Sequence, residues 1–203
     1  MGILSFFKNL KEEGQALKGK PAKDKRFASE HEYQDSKTAK KDFKSSQEKL
    51  FNVDEWSGMP GITSRFELHD EHGKRLPNAK VKENHYIRII MPGPAPENWV
   101  KVVKVRNHKN VAYFIASPSE DPTDQSDDNI EHFFVKEATS TFKVELKDNK
   151  ICAFEIGRNE GVNMGDYAGK RDIINTLLSV GGWAGFQRLQ WKNLTNFLVH
   201  IDK

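Results

Sequence analysis

The chain has 203 residues, 32 Lys and Arg against 29 Asp and Glu, a single Cys, and an overall net charge of +3. One Cys excludes an intrachain disulfide framework and any Cys-built zinc site, and fits a reducing compartment. The longest unbroken apolar run, residues 111–116, is six residues long, far short of the ~20 that a helical membrane span needs.

Although only 36% of the residues are hydrophobic, thirteen Phe and four Trp supply enough apolar mass for a core. Lys8 and Lys11 interrupt the apolar start before the core of a signal peptide can form. The expectation is a soluble, cytoplasmic protein.

In residues 1–17, Ile3, Leu4, Phe7, Leu10 and Leu17 recur near helical spacing, with Lys8, Lys11, Glu12 and Glu13 on the other side. This predicts a short amphipathic helix, weakened by Gly14. It has three possible resting places: its own domain, a groove on another protein, or a membrane surface. A myristoylation signal would need Ser or Thr where the chain has Phe6.

Residues 18–49 hold only Phe27, Tyr33 and Phe43 as large apolar side chains, and residues 1–49 together carry 12 basic against 8 acidic residues. A stretch this polar reads as a largely disordered basic linker, with transient helix near 38–50, because little burial offsets its ordering entropy. Residues 50–203 then form a single α+β domain.

From residue 50 the pattern changes to period two with turn punctuation. Strands are expected at 62–69, 80–91, 99–106, 111–117, 140–146 and 151–157. Short connections between them imply an antiparallel meander of about six strands. For the last hairpin, one buried face would pair Leu146 with Cys152, Val144 with Phe154 and Phe142 with Ile156. That register needs an odd, bulged loop with Asp148 or Asn149 in the left-handed region, and it turns Cys152 into the core. The even alternative would set Phe142 opposite Glu155 and Val144 opposite Ala153.

Helices follow at 167–180, after Asp166 as N-cap and before Gly181-Gly182, and at 186–200, with Trp183 and Trp191 at the corner. The layout is α+β: an antiparallel meander packed against C-terminal helices and preceded by a mobile leash. A curved sheet gripping a long C-terminal helix is similar in architecture to many ligand-binding helix-grip domains.

The densest run of polar groups joins Arg158, Asn159 and Glu160 to His132 and Thr141, with Trp183 as an apolar neighbour. Arg158 offers a planar fork for a carboxylate or phosphate, while an Arg158–Glu160 salt bridge is the competing structural reading. No metal site is indicated: His69 and His72 fall in a turn, and no H-E-x-x-H occurs. Asp124-x-Ser126-x-Asp128 begins like a calcium loop, but Asn129 and Val135 occupy the positions of its glycine and glutamate.

No nucleophile elbow, Gly-rich phosphate loop or reactive Cys is present, so neither covalent catalysis nor a cofactor is indicated. Nucleic-acid binding would rest on a leash in which Lys alternates with Glu and Asp, where a more purely basic tract is usual. Two functions remain. The first is a non-catalytic binding or adaptor domain that docks another protein through Ile3, Leu4, Phe7 and Leu10. The second is a carrier of a small apolar ligand or lipid, or an enzyme, using a cavity between curved sheet and C-terminal helix.

Overall fold

The computed structural model describes residues 23–62, 64–91, 98–123, 137–160 and 183–201. Seven strands form one antiparallel sheet: β1 (Lys23–Glu32), β2 (Arg65–His69), β3 (Tyr86–Ile90), β4 (Asn98–His108), β5 (Val111–Ser119), β6 (Thr139–Lys147) and β7 (Lys150–Glu160). Helix α1 (Ser36–Phe51) follows β1, and helix α2 (Trp183–Leu198) follows β7. The strand order is β1-β7-β6-β5-β4-β3-β2, so β2 to β7 are the expected meander and β1 closes its far edge.

The expected linker is therefore corrected: residues 23–51 supply an edge strand and a helix. The helix is built on a narrow stripe, Ala39, Phe43, Ser46 and Leu50, all buried. Its N-terminus is capped by Asp35, whose carboxylate accepts from Lys37 N at 2.8 Å and Thr38 N at 2.9 Å. Such a stripe holds few large apolar residues, yet it packs on β5, β6 and β7. Tertiary burial, absent from a composition count, stabilises it.

The β6–β7 register is the second correction. Leu146 pairs with Ile151, Val144 with Ala153, and Phe142 with Glu155, around a two-residue Asp148-Asn149 loop. Asp148 takes the left-handed conformation at φ 55°, but the loop is even and carries no bulge. Cys152 and Phe154 consequently face away from α2. They are still buried, at 6% and 8% exposure, because Arg26 lies 4.6 Å and Lys143 5.6 Å from the Phe154 ring centroid. Burial of the Cys152 thiol, and then the Glu30 carboxylate beside it, raise its pKa.

The sheet is strongly curved. Trp56 lies 5.5 Å from the Phe66 ring on β2 and 5.0 Å from Phe142 on β6. Four flat inter-strand steps would hold those rings roughly 19 Å apart. Trp191 of α2 touches the same two, at 6.3 Å and 5.4 Å. A bulge between Val102 and Lys104 on β4 helps the bend. Leu194 and Leu198, both fully buried, seal the C-terminal half of α2 onto the sheet.

Helix α2 stops in a Schellman turn, with Ile201 N donating to Asn196 O and His200 N to Phe197 O. His200 holds the left-handed position, φ 61°, and its ring reaches back to Ser46 Oγ at 3.0 Å on α1. The expected helix at 186–200 is thus present with an earlier start. The helices expected at 1–17 and 167–180 lie outside the described residues.

Candidate functional site

Strand register sorts the concave face into rows. One row runs Phe114, Phe142, Glu155, Phe27 across β5, β6, β7 and β1. The next, toward the end of the sheet where β7 finishes, runs Ala116, Ser140, Gly157, Lys25. Rings dominate the first row, whereas the second is small at Ala116, Ser140 and Gly157 and ends in Lys25 on β1.

Glu155 is the chemical exception on this face. Its side chain is 0% exposed between two phenylalanines. A carboxylate in such a place costs several kcal/mol unless donors or cations face it. Glu155 does engage other groups of the chain.

Other buried polar groups gather at the same end. Ser64 Oγ, just before β2, donates to Gln190 Oε1 of α2 at 2.7 Å, and both residues are buried. Asn98, the first residue of β4, pairs with Ile89 on the concave side and is 5% exposed. With Ser140, these residues set polar groups at the end of the concave face where β7 finishes, one row beyond Glu155.

Along β1 a separate polar seam ties α2 down. Ser29 Oγ donates to Asn196 Oδ1 at 2.6 Å and accepts from Lys192 Nζ at 2.8 Å, while Lys192 Nζ also donates to Ala28 O at 2.7 Å. Burial lowers the Lys192 pKa. This seam holds the helix in place and leaves little free hydrogen-bonding capacity.

The residues singled out from the sequence are distributed differently from expectation. Thr141 pairs with Ile156, and Arg158 with Thr139, which puts Arg158 and Thr141 on the convex face, away from α2. Arg158 and Asn159 are both exposed. Asn159 adopts φ 53°, and its side chain donates to Glu137 O at 3.4 Å while its amide donates to Asp24 Oδ1 at 3.3 Å. It acts as a tie at the sheet rim.

Glu160 ends β7 opposite Lys23, and Trp183 begins α2; their side chains are outside the described residues, as are His132 and the segment with Ile3, Leu4, Phe7 and Leu10. Among the described residues no group of three His, Cys, Asp or Glu is placed to hold a metal ion. None of their helices is long and apolar enough to cross a membrane.

No protein-family model matches the chain, and no curated protein sequence does. Solved structures are similar at low identity. Norcoclaurine synthase from Thalictrum flavum, in complex with dopamine and hydroxybenzaldehyde, is 12% identical with a TM-score of 0.44, over 90% of this chain and 91% of that one. A hypothetical protein from Helicobacter pylori is also 12% identical with a TM-score of 0.44, over 94% of each chain. A protein from Arthrobacter aurescens is 13% identical with a TM-score of 0.41, over 88% of this chain and 87% of that one. Likeness of this degree carries nothing about ligand or activity.

Glu155 is the residue that sequence reasoning passed over. Its signal lies in the even-loop alternative, which sets it opposite Phe142, whereas burial of one uniformly apolar face favours the other register.

Proposed function

We propose that the protein binds a small, largely apolar molecule that carries a protonated amine or a hydroxyl. The ligand would lie between the concave sheet and the N-terminal half of α2, over the Ala116, Ser140 and Gly157 floor. The observation that carries this reading is the fully buried Glu155 carboxylate in a row of phenylalanines. A polar group retained in such a row suits recognition, since ligand sites combine apolar walls with a few placed polar groups. Ser140, Asn98 and the Ser64–Gln190 pair would set the ligand's orientation.

The test is titration of the full chain with dodecylamine and, separately, with decanoic acid, read by tryptophan fluorescence. Trp191 lies above the same row and reports occupancy. The amine should saturate the signal, and Glu155→Gln should weaken it by roughly tenfold or more, the loss of one charge-assisted contact. Equal binding of acid and amine with no effect of Glu155→Gln would overturn the proposal. A folded Glu155→Gln protein, checked by circular dichroism, is required for either conclusion.

A further inference from the structure

The convex face of the sheet carries a pattern of its own. Register aligns its side chains in rows across the strands, as on the concave face. One row runs Arg106, Tyr113, Lys143, Phe154, Ala28 from β4 to β1. The next runs Lys104, Ile115, Thr141, Ile156, Arg26 over the same strands. Neither row contains a carboxylate. Four interstrand steps make each row about 19 Å long.

Cation and ring alternate along the first row, and Arg26 joins its Phe154 end from the second. Arg26 is exposed, and its guanidinium carbon stands 4.6 Å from the Phe154 ring centroid, so a planar cation covers that ring. Lys143 Nζ lies 5.6 Å from the same centroid and 3.2 Å from Glu145 Oε2. Lys104 and Arg106 are exposed, and Tyr113 is half-buried. Arg106 Nη2 lies 3.4 Å from His108 Nε2. The acids nearest to these cations, Glu145 and Glu30, stand together in the flanking row with Cys152, where Lys143, Lys147 and Lys150 pair with them.

We propose that this face binds single-stranded nucleic acid, with phosphates against Lys104, Arg106 and Lys143 and bases stacked on Tyr113 and the Arg26 guanidinium. Cations interleaved with planar groups suit a single strand, whose backbone is anionic and whose bases expose their faces. A sheet that bows outward also favours a flexible strand over a duplex, which stays stiff over about 150 base pairs. A membrane fits less well. Among the described residues, the large apolar side chains that stay exposed are Leu189 and Ile201 at α2 and Val103 at the β4 bulge. They form no broad apolar surface on this face, and interfacial anchoring needs one. The proposal is independent of the ligand compartment, which lies on the other side of the sheet.

The experiment is fluorescence anisotropy of a labelled oligothymidylate, about 15 nucleotides long, titrated with the full chain. Three phosphate contacts predict that affinity falls roughly twentyfold between about 50 and 200 mM salt. Lys104→Glu with Arg106→Glu should weaken binding by roughly tenfold or more, and Tyr113→Leu by roughly fivefold or more. Lys40→Glu with Lys41→Glu, the same charge change at exposed positions of α1, should leave it unchanged. Circular dichroism checks that each variant is folded. Failure of the parent protein to bind overturns the proposal, as does an equal loss in the α1 variant. Binding that Tyr113→Leu leaves intact and a duplex matches also overturns it, in favour of a general polyanion surface. Capture by vesicles of phosphatidylserine and phosphatidylcholine, without binding of the oligothymidylate, overturns it in favour of a membrane.

Discussion

Phe142 and Glu155 are direct partners across β6 and β7, and both face the space beneath α2. This pairing follows from the two-residue Asp148-Asn149 loop, because an even loop puts Ile151, Ala153 and Glu155 on the face of Leu146, Val144 and Phe142. The loop thus fits the register in which that side of β7 reaches the interior.

Asp148 holds φ 55° at that loop, a conformation that glycine adopts without steric cost. Asp148→Gly should raise stability by about 0.5–1 kcal/mol, read from the urea midpoint at constant slope. Inserting one glycine after Asn149 should do the reverse. It lengthens the tight turn to three residues while the Lys147–Lys150 pair and the rows beyond it keep their register, lowering the melting temperature modestly with no change in which side of β7 faces inward.

Trp56 is the keystone of the ring cluster. It is 1% exposed, contacts Phe66, Phe114 and Phe142, and its indole N–H donates to Lys49 O at 2.9 Å. Trp56→Phe removes volume and leaves that carbonyl without its indole donor. The expected loss is about 2–4 kcal/mol in chemical denaturation. A loss under 0.5 kcal/mol would mean that the curved sheet does not depend on this ring.

Tyr33 predicts a pH effect. Its hydroxyl is pushed up to about 12, first by burial and then by the neighbouring Asp42 carboxylate. A folded pKa above the unfolded value of about 10 contributes stability that is complete below pH 10. That contribution is lost as pH rises through 12. The stability difference between the parent and Tyr33→Phe should therefore stay constant up to about pH 10 and shift against the parent above it. Absorbance at 295 nm should show one phenol titrating later than the rest in the parent and not in the variant.

The period-two runs after residue 50 and the turn residues between them were enough to read the meander and its α+β class, because alternation and turn chemistry are local properties. The strands at 99–106, 111–117, 140–146 and 151–157 came out close to β4 to β7 for that reason. The late helix at 186–200 was legible from its apolar spacing, which is local as well.

What local pattern missed was β1, whose one large apolar residue is Phe27, and which gains its stability by pairing with a strand more than a hundred residues away. The hairpin error descends from that omission. With β1 absent, β7 looks like an edge strand with one face to bury; with β1 in place, it lies inside the sheet. Arg26 and Lys143 then cover Phe154 from outside, and the inner row is free to hold Glu155. Which side of a strand faces the core depends on what packs against both of its faces, and those neighbours come from distant parts of the chain.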